Sequence, residues 1–191
     1  MDVMEAIRTR RSIRRYTADP VADDAVQAVL EAARWAPSWK NTQCARFIVV
    51  RDAGVKAALA ECLIKISVPD GLRDNPSTKA IINAPVVIVG CAVLGKSGYD
   101  AGIPATDKGD WYMFDVALAM QNLALAAHAL GLGTVQVGQF DAARVAALLG
   151  VPESHAVVSL TPLGYPEQEG KNPGRKELAE IIFYERYGQV K

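Results

Sequence analysis

The chain is poor in the residues that build metal and nucleophile sites. It has two histidines, His128 and His155, and three cysteines, Cys44, Cys62 and Cys91, with no CxxC pair. Zinc and iron–sulfur centres built on paired thiols or His-rich spacing therefore lack a ligand set. Sparse, odd-numbered cysteine fits a reducing, cytoplasmic setting better than a disulfide framework. No P-loop and no G-x-S-x-G elbow occurs. Formal net charge is zero, with 21 basic and 21 acidic residues. A general polyanion binder carries a positive excess, so nucleic acid is not an expected partner. The first ten residues, MDVMEAIRTR, contain no apolar run of signal-peptide length. One stretch imitates a membrane span: Val116 to Phe140 has no Asp, Glu, Lys or Arg. Gln121, Asn122, His128 and Gln136 interrupt it, and Gly131 and Gly133 break it. It reads as a buried helix followed by a strand, not as a lipid-facing segment. A helix apolar on nearly every side needs cover on every side, which in a small domain often comes from a partner subunit.

At 191 residues and 50% hydrophobic content, the chain suits one substantial domain with a real core. Residues 2–9 read as a short helix with Val3, Met4 and Ile7 on one face. Asp23 and Asp24 open a second helix with the stripe Ala25, Val26, Val29, Leu30 and Ala33, closed by Pro37. "RFIVV" (46–50) is a short strand, 53–66 looks helical, and 67–77 is rich in turn residues. A short helix near 78–83 leads into "PVVIVGCAV" (85–93), a buried strand. Residues 94–109 form a long loop of the kind that is often functional. A long helix over about 110–130 ends at Gly131. "GTVQVG" (133–138) is a strand, 141–150 a helix with Asp141 as N-cap, and 156–164 the last core strand. Helices and strands interleave without clean βαβ units, which predicts a mixed α+β sheet.

What is abundant is positive charge in one place. Arg8, Arg10, Arg11, Arg14 and Arg15 are five of the twelve arginines, and they fall within eight residues. The ordinary reading of such a run is a solvated edge. Two details argue for an anion instead: Ser12 stands inside the cluster, and a second basic group, "PGRK" (173–176), follows a turn near the other end. Arginine presents a planar, forked donor set to phosphate or to a carbonyl–nitrogen edge. A third segment, "APSWKNTQCARFIVV" (36–50), packs short polar side chains between a helix and a strand. The G-x-G of Gly131–Gly133 follows a helix, not a strand, and so fails the context of a dinucleotide fingerprint. With no acid–base motif in view, the chemistry of an enzyme here would come from a cofactor.

Taken in order, "RRSIRRY", "APSWKNTQ", "NAPVVIVG", "NLALAAHALGLGT", "VGQF" and "PGRKELAEIIFYERYG" resemble the flavin-dependent nitroreductase family over nearly the whole chain. The resemblance implies a single FMN-binding α+β domain with a mostly antiparallel sheet flanked by helices. It implies an interlocked homodimer with two FMN sites at the interface, and a segment of about 165–191 wrapping the partner. By resemblance, Arg10, Arg11, Ser12 and Arg14 hold FMN, with Arg14 at the N1–O2 edge of the ring. Arg175 pairs with the phosphate and Lys176 assists. Pro37, Ser38, Trp39 and Asn41 reach the FMN of the other subunit. Val135, Gln136, Val137 and Gly138 lie beside the ring, where a backbone N–H near Gly138 donates to N5. Arg14 and Gly138 thus tune the ring, and no protein acid or base is obligatory.

The implied activity is ping-pong transfer from NADH or NADPH, through FMN, to an electron-poor small molecule such as a nitroaromatic, quinone or enone. Relatives with reductive dehalogenation or flavin-cleaving chemistry, and non-catalytic flavin-binding redox proteins, are the alternatives on the same fold. After "NTQ" many members carry Pro and an aromatic residue, where this chain has Cys44 and Ala45. Cys44 reads as an inert buried thiol. Tyr99, Trp111, Tyr112 and Trp39 are candidate lid aromatics.

Overall fold

The computed structural model describes residues 1–190, so Lys191, the end of the predicted wrapping segment, lies outside the described residues. In chain order the elements are α1 (Val3–Thr9), α2 (Asp23–Arg34), β1 (Ala45–Val50), α3 (Ala53–Glu61), β2 (Ile66–Val68), β3 (Gly71–Arg73) and α4 (Thr78–Asn83). They continue with β4 (Val86–Val93), β5 (Tyr99–Asp100), β6 (Ile103–Pro104), α5 (Tyr112–Ala129), β7 (Gly133–Thr134), α6 (Ala142–Leu149) and β8 (His155–Gly164). The main sheet has the order β1-β4-β8-β7 and every neighbour is antiparallel. Two two-stranded hairpins, β2–β3 and β5–β6, stand apart from it.

β4 organises the core because its apolar run leaves neither face fit for water. Side chains alternate across a strand. Val87, Val89 and Cys91 accordingly join Leu59 and Ala60 of α3, Ile81 of α4 and Val145 of α6 in one cluster. Val86, Ile88 and Ala92 join Val26, Val29 and Ala33 of α2 and Val116, Leu123 and Ala127 of α5 in the other. The sheet is thus covered on both faces. The predicted α2 stripe packs as expected, with Ala25 and Leu30 at its partly buried margin. Asp141 caps α6, its carboxylate accepting from the Arg144 N–H at 3.0 Å. No helix among the described residues is long and apolar enough to cross a membrane.

Four local features correct or extend the sequence reading. The helix expected over 53–66 stops at Glu61. The turn-rich stretch 67–77 instead holds the β2–β3 hairpin, whose Pro69–Asp70 turn joins two three-residue strands. The strand expected over 133–138 pairs as a ladder only at Gly133 and Thr134, with one further bridge between Val137 and Leu160. The apolar face of α1 points outward: Ala6 is its buried residue, while Val3, Met4 and Ile7 are exposed. Exposed apolar side chains recur on α5, at Met113 and Phe114, and in the tail, at Leu178, Ile181, Ile182 and Val190.

Candidate cofactor site

The basic segment is laid along the sheet edge. Ser12 bridges Thr134 in parallel, and the Ile13 N–H donates to the Thr134 carbonyl at 2.9 Å. Thr17 N–H donates to Tyr165 O at 3.0 Å, and Glu167 N–H to Arg15 O at 3.1 Å. Ile13 and Tyr16 are buried while Ser12, Arg14 and Arg15 are exposed, so the apolar residues anchor the segment and the cations face out. The anchoring needs a glycine at 133: a Cβ there would stand 2.6 Å from Ile13 Cγ1. The Tyr16 hydroxyl donates to Ile13 O at 2.6 Å, and burial pushes its pKa up against the opposing effect of Arg14.

The far end of the chain returns to the same place. A Cβ on Gly170 would lie 2.2 Å from Arg11 Cβ, so only glycine allows this approach. The returning segment closes a cavity of about 490 Å³ lined by Arg10, Arg11, Ser12, Arg14, Arg15, Lys171 and Arg175, with Glu169 the one acid on its wall. Sequence alone could not bring Arg175 to the N-terminal cluster; the fold does. Among the described residues none of these arginines forms an ion pair. Burial, then Arg11 and Arg175, lower the pKa of Arg10. Crowded like charges that no ion pair offsets favour a bound anion.

The arginines are not equivalent. The Arg11 guanidinium turns back on α1, donating to Arg8 O at 2.6 Å and Arg10 O at 2.9 Å. Arg15 donates to Gln168 Oε1 at 3.3 Å. Arg175 donates to Gly174 O at 2.6 Å. Arg14 has no hydrogen bond or ion pair among the described residues, and together with Arg15 it lines a second cavity of about 470 Å³ as well. There it meets Lys79 and Asn83 of α4, two polar residues that nothing in the local sequence singled out. Lys176 is exposed and does not line the arginine cavity.

Val135 and Val137 are buried as whole residues, with their side chains in the core. Val137 exchanges both backbone hydrogen bonds with Leu160, each at 3.0 Å. Gln136 is exposed and its Oε1 accepts from the Thr161 hydroxyl at 2.7 Å. Gly138 is exposed, and a Cβ there would meet no heavy atom within 4 Å. The remaining predicted residues stand elsewhere. Pro37 and Ser38 line a separate groove of about 420 Å³ between α2, β1 and α5, while Trp39 and Asn41 lie on the short helical turn that follows. Among the described residues, none of the four principal cavities holds any of these four with the clustered arginines. Cys44 is buried, and burial followed by Asp115 pushes its thiol up to about 11, which suits an inert residue.

An arginine-lined cavity set against one edge of an antiparallel α+β sheet suits a phosphorylated ligand. More particularly, the chain belongs to the nitroreductase family, whose model matches residues 7–165. It is similar to an NADH dehydrogenase of Thermus thermophilus, 32% identical over 209 residues, covering 96% of each chain. It is 28% identical over 190 residues to a 5,6-dimethylbenzimidazole synthase of Rhodospirillum rubrum, covering 88% of this chain and 84% of that one. Among solved structures, an FMN complex of a nitroreductase-type protein from Desulfovibrio desulfuricans superposes with a TM-score of 0.78 at 32% identity, covering 98% of each chain.

Proposed function

We propose that the protein is an FMN-dependent NAD(P)H oxidoreductase, acting as a homodimer on an electron-poor small molecule such as a nitroaromatic, quinone or enone. The observation that carries this reading is the convergence of Arg10, Arg14 and Arg175, none of them ion-paired, on one cavity. Such a cluster fits a phosphate monoester, which offers the charge and the acceptor oxygens that forked guanidinium donors match. Family membership and the FMN-bound neighbour support the flavin as the phosphate's carrier. When bound, FMN supplies the centre that accepts a hydride from the nicotinamide and passes electrons to the acceptor.

The chain's own residues have separable duties. Arg10, Ser12 and Arg175 hold the phosphate end, with Lys176 at the periphery. Arg11 shapes that end chiefly by closing α1. Arg14, shared between the two cavities, faces the ring edge, where a cation favours developing negative charge. The backbone from Val135 to Gly138 borders the ring. Pro37, Ser38, Trp39 and Asn41 serve the site of a second copy, which accounts for their distance from the arginines of their own chain. A second copy would also cover Met113 and Phe114 of α5 and the apolar residues of the tail. Relatives of comparable similarity are named for different reactions, so the acceptor is a matter for assay.

The test is a visible spectrum of the purified, FMN-reconstituted protein, followed through anaerobic addition of NADH or NADPH and then of a quinone or nitroaromatic. Bleaching and recovery, with parallel lines in double-reciprocal plots and a dimer by sedimentation, are the expected results. A protein that binds no flavin, or a flavin-loaded monomer, defeats the reading.

A further inference from the structure

Asp115 is a buried carboxylate with no cation. It lies in the first turn of α5 and is 3% exposed. Among the described residues it takes part in no ion pair. Both of its oxygens lie 3.1 Å from the backbone nitrogen of Trp39, and the Cys44 thiol donates to Oδ2 at 3.5 Å. Burying a carboxylate is costly unless hydrogen bonds offset it. An acid that served only the dipole of α5 could do so from the solvent side. Asp115 is instead turned inward, onto the loop between α2 and β1.

That loop is strained. Lys40, Asn41 and Gln43 have φ of 42, 55 and 47°, three non-glycine residues in the left-handed region within four positions. Such conformations persist only where surrounding contacts over-determine them, and they gather at functional sites. The contacts are on view. Ser38 Oγ accepts from the Gln43 N–H at 2.9 Å, Lys40 Nζ pairs with Asp100 at 2.8 Å, and the Trp39 ring packs on Trp111 at 5.6 Å. Yet the Trp39 indole N–H is buried without an acceptor among the described residues. A loop folded for its own stability would not leave that donor open.

We infer that Asp115 is the positioning residue of the flavin-facing loop: by holding the Trp39 backbone N–H with both oxygens, it fixes Pro37–Asn41 in the one conformation that completes the site of the partner subunit. This rests on the proposed function, because only an FMN site at the dimer interface gives the loop a ligand to meet. The charged acceptor matters, since a hydrogen bond to an ionised group is about twice as strong as a neutral one. Asparagine retains one oxygen for Trp39; alanine retains none.

The experiment titrates FMN into flavin-free dimers, read by quenching of flavin fluorescence, beside the melting midpoint of each flavin-free protein. Asp115→Asn should raise the FMN dissociation constant by about threefold and Asp115→Ala by about tenfold or more. Cys44→Ala, which keeps the Trp39 contact, should bind as wild type. Val145→Ala, a fully buried change in the opposite core cluster, should lower the melting midpoint but leave FMN affinity within about twofold. Should Asp115→Ala not fold, Asp115→Asn against Cys44→Ala decides. Equal affinity of Asp115→Asn and wild type overturns the inference. So does equal weakening by Asp115→Ala and Val145→Ala, which would mark a merely structural role. A wild-type protein that binds no FMN removes the underlying reading instead, and shows this before any variant is made.

Discussion

Replacing Gly170 by alanine isolates the step that brings the two ends of the chain together. The new methyl carbon would stand 2.2 Å from Arg11 Cβ, 3.1 Å from Arg11 Cγ and 3.2 Å from Ile13 Cδ1. Carbon atoms pack at about 3.5 Å or more, so the nearest contact must open by about 1.3 Å. Arg11 Cβ cannot swing away, because it is fixed to the backbone, and Ile13 is held between Gly133 and the core. The returning segment from Gln168 to Arg175 is therefore the part that moves. Overpacking of this kind costs about 1–3 kcal/mol. For a chain of this size that lowers the melting midpoint by roughly 2–12 °C. The larger effect falls on the ligand. A charge-assisted hydrogen bond from Arg175 contributes about 1.5–3 kcal/mol, and about 1.4 kcal/mol is a factor of ten in affinity. The dissociation constant for FMN should rise roughly 10- to 100-fold, measured by fluorescence titration of the flavin-free protein. A variant with a lowered melting midpoint but unchanged FMN affinity refutes the reasoning: the strain would exist, and Arg175 would not depend on it.

Four further outcomes follow from the same geometry. Gly138→Ala meets no heavy atom within 4 Å, so its melting midpoint should match wild type, while FMN binding weakens if the ring borders this edge; unchanged binding places the ring elsewhere. Arg14→Ala should weaken flavin binding and slow reduction by NADH more than Arg15→Ala, whose side chain is engaged with Gln168; equal effects in stopped-flow reduction remove Arg14 from the ring edge. Burial, then Arg10 and Arg11, hold His128 below the ordinary histidine value. The unfolded chain then binds more protons, so the contribution of His128 to stability is complete above about pH 6.5 and is lost as pH falls from there through the folded value. Melting midpoints should decline over that window and His128→Asn should flatten the decline. Saturating inorganic phosphate should raise the His128 pKa in an NMR titration by offsetting Arg10 and Arg11, and an unmoved pKa means that the anion does not bind beside them.

Features whose cause is local were legible in the sequence, and features whose cause is an approach between distant segments were not. β4 could be read because eight consecutive residues suit burial on both faces, whatever packs there. The arginine segment could be read because so much charge has no use within its own eight residues. The β2–β3 hairpin was hidden because three-residue strands are too short to show a period, leaving only the Pro–Asp–Gly turn signal in view. β7 was overestimated because alternation continues through Val135 and Val137, although the ladder does not. Asp115 was invisible for a sharper reason. In sequence it is one acid at the start of a helix, where acids are ordinary; its meaning lies in a backbone N–H 76 positions away. Gly133 and Gly170 are alike in this. Neither has a signature, yet each is fixed by an arginine-segment side chain more than a hundred residues distant. The cations that name the site are thus written in one stretch, while the small residues that let them converge are scattered, and a substitution at either glycine would damage the site without touching any residue that charge alone would mark.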